Sequence, residues 1–262
     1  MRIALGISYL GSAYQGWQSQ PSGRTVQDQL EKALAQFADR PVSTLCAGRT
    51  DAGVHGLMQV VHFDTEVERV MNSWVRGTNR YLPDDIAVQW AHQVPAAFHC
   101  RASAIARRYA YVLLESPVRP SLDSGRVGWM FRPLDQAAME AAAQHLLGEH
   151  DFSSFRAAQC QALSPVKDLR RIDISRHGAY WRFEFEASAF LHHMIRNIMG
   201  CLLAVGQGLR TPEWMAEVRD ARSREIAAPT FSPDGLYFLG PRYQPHWGLP
   251  DSVAGFDWLP GQ

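Results

Sequence analysis

The chain has 262 residues, no formal net charge at pH 7 and a mean hydropathy of −0.22. With 46% hydrophobic and 11% aromatic residues it can fill a core, at the upper end of one domain or the lower end of two. Its apolar runs fall well short of the roughly 20 residues that span a bilayer, and residues 1–5 lack the apolar stretch of a signal peptide, so a cytoplasmic protein with no membrane partner is expected.

Residues 3–9 alternate with period two and predict a strand. Residues 11–23, rich in Gly, Ser and Pro, predict a loop. Thr25 then caps a helix in which Val26, Leu30, Ala33, Leu34 and Phe37 recur at helical spacing, with Asp28 at the capping-box position. Residues 42–47 and 59–64 predict strands on either side of a glycine-rich turn. A helix follows over 67–81, ended before Pro83, and a strand over 86–94. A similar order then recurs. Residues 109–114 are apolar and aromatic, 127–131 predict a short strand, and 135–147 an alanine-rich helix. Residues 172–176 and 180–187 predict a hairpin across His177-Gly178. A long helix over 192–209, another from Thr211-Pro212, and a strand over 236–239 complete the chain. The fold class is mixed α/β (α+β), each half having an approximate split β-α-β character. With the boundary placed in 95–106, the expected domains are 1–103, 104–243 and a tail, 244–262, carrying Pro245, Trp247, Pro250 and Trp258.

Zero net charge argues against a nucleic-acid partner. However, 24 of the 26 basic residues are arginines, which grip phosphate bidentately and stack on bases, so a local patch could still bind RNA. Cys46, Cys100, Cys160 and Cys201 form no CxxC pair, so zinc-ribbon spacing is absent and reduced core thiols are expected.

The densest motif is Gly48-Arg49-Thr50-Asp51-Ala52-Gly53-Val54-His55-Gly56. Three glycines in nine residues between two strands make a tight loop whose backbone can approach a ligand. Asp51 lies at its middle, two residues after Arg49, and a carboxylate beside guanidinium groups is favoured in the charged form that a nucleophile needs. Taken alone, the same residues also fit an Asx-turn aspartate and a surface arginine. A metal site built from Asp51, His55, His62 and Asp64 is disfavoured, because the two histidines stand seven apart across a turn and strand. His192 and His193, adjacent on the predicted helix, would point apart. No metal is expected.

The motif resembles the signature loop of the tRNA pseudouridine synthase A family, and the resemblance runs from about residue 3 to 240. Tyr9-Leu10-Gly11 with Gly16-Trp17-Gln18 resembles the family's opening strand and loop. Arg76-Gly77-Thr78-Asn79 with Leu82-Pro83-Asp84-Asp85-Ile86 is similar to a second block, and Phe98-His99-Cys100-Arg101 with Ala106-Arg107-Arg108-Tyr109 to a third. Two further blocks are residues 190–197, and Ala228-Pro229-Thr230 with Gly235-Leu236-Tyr237. The sequence departs from the family at Leu10, where an aspartate is common, and at Ala110, where a basic residue is common.

The resemblance implies two ferredoxin- or RRM-like halves that form a continuous, mostly antiparallel sheet flanked by helices, with a central cleft. It also implies a homodimer acting on uridines 38, 39 and 40 of the tRNA anticodon stem-loop. Asp51 falls on the family's catalytic aspartate. Tyr109 falls on the tyrosine that stacks against the uracil and is a candidate proton relay, and Arg196 on the arginine that pairs with the aspartate. Arg49 falls on the residue that helps displace the target nucleotide, and Leu236 on an apolar contact of the pocket. Arg107, Arg108, Arg76, Arg80 and Arg170-Arg171 are candidates for phosphate contacts. The isomerisation needs neither redox change nor energy input, so no cofactor is expected. Two rival readings are a non-catalytic RNA-binding protein on the same scaffold and a metal-dependent hydrolase.

Overall fold

The alternation at the N-terminus folds as β1 (Arg2–Tyr9), with both of its faces covered. Ile3, Leu5, Ile7 and Tyr9 enter one buried cluster, and Ala4 enters a second with Ala47, Val60, Val94, Phe98 and Cys100. The computed structural model describes residues 1–250 and divides into two units. Of these residues, one unit holds Met1–Arg107 and 237–250, and the other holds Arg108–Leu236.

In the first unit β1 is followed by α1 (Val26–Ala38), β2 (Leu45–Cys46), β3 (His55–Asp64), α2 (Met71–Asn79) and β4 (Ile86–Val94). The strand order β4-β1-β3, with β2 on the far side of β3 and all of these pairs antiparallel, is the split β-α-β ferredoxin-like pattern. From the far end of the chain, β10 (Leu236–Tyr243) joins β3 in parallel, pairing Tyr237 with His55 and Phe238 with Gly56. Thr25 caps α1 by accepting from the Asp28 amide at 3.2 Å, and its hydroxyl donates to the Asp28 carboxylate at 2.5 Å.

Two predicted elements shorten here. The strand expected over 42–47 is reduced to Leu45–Cys46, because Thr44 turns its amide and hydroxyl to Glu31 Oε1 of α1, at 2.7 and 2.9 Å. The helix expected from residue 67 begins at Met71, because the Val67 amide donates to the Thr65 hydroxyl at 3.1 Å and Val70 is extended.

The second unit contains most of β5 (Ala104–Glu115), then β6 (Gly128–Met130), α3 (Gln136–Gln144), β7 (Gly148–Asp151), β8 (Val166–His177), β9 (Tyr180–Ala187), α4 (Met194–Gly206) and α5 (Trp214–Ala221). Its strands run β5-β9-β8-β7, with β6 parallel on β5. Trp181, Phe183, Phe185 and Ala187 bury one face of β9. The hairpin turn is Gly178-Ala179, one residue later than predicted, with His177 opposite Tyr180. The helix expected over 135–147 runs from Gln136 to Gln144, with Asp135 as its cap, accepting from the Ala138 amide at 3.0 Å.

Of the expected tail, Trp247 packs on Phe98 with ring centroids 5.3 Å apart. The tail beyond Pro250, including Trp258, lies outside the described residues. Cys100 and Cys201 are buried free thiols, whereas Cys46 and Cys160 are only half-buried, a departure from four core thiols. No described helix is long and apolar enough to cross a membrane.

Candidate active site

The signature loop is held at three points, leaving Asp51 at its apex. At the first, Gln59, fully buried on β3, brackets Gly48: its Nε2 donates to the Gly48 carbonyl at 2.5 Å, and its Oε1 accepts from the Gly48 amide at 3.3 Å. At the second, the buried Thr50 is fixed from both its side chain and its backbone. Its hydroxyl shares a 2.8 Å hydrogen bond with the Tyr9 hydroxyl, and its carbonyl accepts from the Trp17 amide at 3.0 Å. At the third, the His55 Nδ1 accepts from the Gly11 amide at 2.9 Å, which leaves the ring proton on Nε2. The Val54 amide closes the turn by donating to the Asp51 carbonyl at 3.2 Å.

Thr50 is the buried residue of the turn: Arg49 is exposed, Asp51 half-buried and Ala52 exposed. The opposing loop has to come very close to permit these contacts, and glycine allows it. A Cβ on Gly11 would stand 2.0 Å from the Val54 carbonyl oxygen. Gly16, at φ +87°, would place one 2.7 Å from the Thr50 carbonyl oxygen. The Gly11 and Gly16 of the resemblance thus have a physical reason, which is backbone approach to the loop that carries the carboxylate.

The motif is also less of a loop than expected. β3 begins at His55, so His55 and Gly56 belong to a strand and pair with β10. The His55 ring lies 4.5 Å from that of Tyr237.

Tyr109, Leu236 and Arg196 lie in the second unit. Tyr109 on β5 is 8% exposed and meets Phe190 edge-on, with centroids 5.1 Å apart. Leu236 is buried at the start of β10, its amide donating to the Pro233 carbonyl at 2.9 Å. Arg196 sits in the first turn of α4 and is half-buried. Its Nε donates to the Phe231 carbonyl at 2.9 Å, and the Phe231 amide returns a bond to the Arg196 carbonyl at 3.1 Å.

The helix carrying Arg196 begins at Met194 rather than at residue 192, because His193 takes a left-handed conformation at φ 62°. His192 and His193 therefore do not point apart as helix neighbours would. Their ring centroids stand 4.1 Å apart.

Among the arginines considered for phosphate, Arg76 and Arg80 are exposed on and just after α2 and make no ion pair with a described residue. Arg107 donates to the carbonyls of Ala104 and Arg101, at 3.2 and 2.5 Å. Arg108 is half-buried at the start of the second unit. Arg170 and Arg171 pair with Asp168 and Asp173, which takes them up in ion pairs along β8.

Three of the four residues weighed as a metal site have separate partners. His55 serves Gly11, Asp64 pairs with Arg2 at 2.8 Å, and His62 Nδ1 accepts from the Cys100 amide at 3.3 Å. A different trio, His62, His99 and Cys100, brings its ligand atoms within 4.8 Å of one another. The Nδ1 atoms of both rings already accept backbone amides, which puts the protons on Nε2. Burial, then the charges of Arg2 and His99, push the His62 imidazolium down to about 4. Burial pushes the Cys100 thiol up to about 12. Both shifts favour the neutral forms of His62 and Cys100.

Sequence reasoning did not single out Gln59, Tyr9 or Thr50 as the supports of the loop. In the sequence Gln59 is an ordinary polar residue opening a predicted strand. Only its zero exposure, facing Gly48, reveals its task.

The model of the family described as tRNA pseudouridine synthase matches residues 6–101 and 142–244. The tRNA pseudouridine synthase A of Albidiferax ferrireducens is 74% identical over 99% of this chain and the whole of that protein. Those of Polaromonas sp. and Methylibium petroleiphilum are 72% and 71% identical, with the same coverage. Among solved structures, a Cbf5-Nop10-Gar1 complex aligns at 12% identity and a TM-score of 0.37, covering 90% of this chain and 48% of that one, a likeness too loose to bear on the site. By family model and by near-complete relatives alike, the chain belongs to the tRNA pseudouridine synthases, isomerases that act on tRNA.

Proposed function

We propose that this protein converts uridine to pseudouridine in the tRNA anticodon stem-loop, at positions 38, 39 and 40, with Asp51 acting at the ribose. The observation carrying this reading is the three-point support of the signature loop by Gln59, Tyr9 with Trp17, and Gly11 with His55. Buried polar groups are spent on fixing a surface turn whose apex is one carboxylate. Such fixing is what a positioned nucleophile requires.

In the reaction the N1–C1′ glycosidic bond breaks, the uracil rotates, and a C5–C1′ bond forms. C5 gives up its proton and N1 takes one, so atoms and electrons balance without cofactor, metal or water. Asp51 either adds to the sugar or stabilises its cationic form. A glycosidase would need a second carboxyl about 5–9.5 Å away. The next acid along the chain after Asp51, Asp64, is held by Arg2 at the other end of β3.

Tyr109 is assigned to stack on the flipped uracil and to relay the proton. Arg196 is assigned to hold the Asp51 carboxylate charged, Arg49 to fill the space the base vacates, and Leu236 to line the pocket. Flipping costs a few kcal/mol of lost stacking, which planar side chains reduce. Arg76, Arg80, Arg107 and Arg108 are assigned to the RNA backbone. The cytoplasmic homodimer rests on the family resemblance, and light scattering of the pure protein tests the dimer.

The functional test is incubation of the purified protein with unmodified tRNA transcripts, without metal or nucleotide, followed by carbodiimide mapping. Pseudouridine confined to positions 38–40 is expected. Modification elsewhere in the tRNA would replace the proposed target, and no modification would remove the activity.

A further inference from the structure

The segment between the 3-10 turn at Arg224–Ile226 and β10 has no regular structure, yet polar contacts fasten it residue by residue to α4. Asn197, immediately after Arg196 and fully buried, accepts at Oδ1 from the Thr230 hydroxyl at 2.6 Å and from Arg224 at 3.2 Å. Its Nδ2 donates to the Phe155 carbonyl at 2.8 Å. Arg224 also reaches the Thr230 hydroxyl at 3.1 Å and the Ala227 carbonyl at 3.2 Å. The next residue, Phe231, is the one whose amide and carbonyl both engage Arg196. Its ring lies 5.6 Å from that of Tyr111, whose hydroxyl donates to the Ser232 carbonyl at 2.9 Å.

We infer that Thr230, Asn197 and Arg224 form a positioning clamp that sets the direction of the Arg196 guanidinium through the Phe231 peptide. This inference rests on the role proposed above for Arg196. An arginine on a helix surface samples many rotamers. Here Nε is tied to a carbonyl whose own position is fixed one residue earlier by a hydrogen bond to a buried amide. Asn197 is the anchor because a buried Oδ1 that receives two donors has a strong claim on both. Thr230 is the link: exposed on the surface, it reaches the buried Asn197 through that hydroxyl. Neither residue touches substrate in this account. Both act through Arg196.

The test uses the full-length protein and single-turnover modification of a tRNA transcript at saturating enzyme, with tRNA affinity measured in parallel. Thr230→Val keeps the shape, removes the hydroxyl and leaves the buried Asn197 in place, so folding is preserved. It is expected to slow the single-turnover step about tenfold with tRNA affinity within about twofold, the signature of misdirected geometry rather than lost binding. Thr230→Ser, which keeps the hydroxyl, is expected to restore the rate. In an Arg196→Lys background, which has no Nε to direct, Thr230→Val is expected to have no further effect. A Thr230→Val protein as fast as wild type, or one whose defect adds fully to that of Arg196→Lys, overturns the clamp. An Arg196→Lys protein as fast as wild type overturns instead the role of Arg196 on which the clamp depends.

Discussion

Replacing Gln59 by leucine is the most direct way to disturb the carboxylate without touching it. The change keeps an apolar body of similar size in the buried position and deletes both contacts to Gly48, the 2.5 Å bond to its carbonyl and the 3.3 Å bond from its amide. Each buried backbone group left without a partner costs about 1–3 kcal/mol. Gly48 is half-buried, so water can reach part of this peptide, and a total of about 2–3 kcal/mol is expected. For a protein of this size that lowers the melting temperature by roughly 4–12 °C. The loop also loses the first of its three supports, and a displacement of about 1 Å at a reacting group can slow chemistry by about a hundredfold. Circular dichroism melting together with single-turnover modification should therefore report a destabilised protein with a rate lowered ten- to a hundredfold. A protein that melts lower but modifies tRNA at the wild-type rate would refute the reasoning, because Gln59 would then support the fold and not the placement of Asp51.

Three further outcomes are expected. Tyr9→Phe strands the buried Thr50 hydroxyl and should cost about 1–3 kcal/mol; Thr50→Val removes the same hydrogen bond, and the double variant should cost less than the sum of the two; denaturant titrations giving strictly additive losses would contradict the shared hydrogen bond. His62 has a folded-state value near 4 against 6.5 for the free side chain. The unfolded chain therefore binds the extra proton first, and stability should be complete above about pH 6.5 and decline as pH falls toward 4. His62→Gln should flatten that part of the curve, and an unchanged slope would contradict it. Arg76→Ala with Arg80→Ala should weaken tRNA binding and reduce the slope of log affinity against log salt by about 2, roughly one per lost phosphate contact; an unchanged slope would take these residues off the RNA.

Much of the fold could be read from the sequence wherever one local signal dominated. Thr25 with Asp28, and Asp135 before an alanine-rich run, set the starts of α1 and α3 because a cap is a contact between near neighbours. The strand at 86–94 matched its pattern to the residue. Two of the misses come from a polar group diverted by an unforeseen partner, and a third from a left-handed residue. Thr44 bonds Glu31 of a helix and so leaves the strand. Thr65 claims the Val67 amide and delays α2. His193 turns left-handed and starts α4 late. β7, with the sequence Gly-Glu-His-Asp, had no apolar alternation to betray it and exists by pairing with β8.

At the candidate site, the motif singled out Asp51 from the sequence, whereas the close approach at Gly11 and Gly16 emerged only from the structure. The supports remained hidden because a glutamine, a tyrosine and a threonine gain their roles only from burial against that loop. The same holds for Asn197 and Thr230, 33 residues apart and joined by one hydrogen bond.

The measurement that bears most directly on Asp51 is carbodiimide mapping of one tRNA transcript after treatment with wild type and with Asp51→Asn, at equal and saturating protein. The substitution keeps the size of the side chain and its place in the turn, removing only the negative charge. Wild type should leave pseudouridine in the anticodon stem-loop. The variant should bind the same tRNA with comparable affinity and leave none. Pseudouridine formed by Asp51→Asn at the wild-type rate would mean that the carboxylate is not the reacting group.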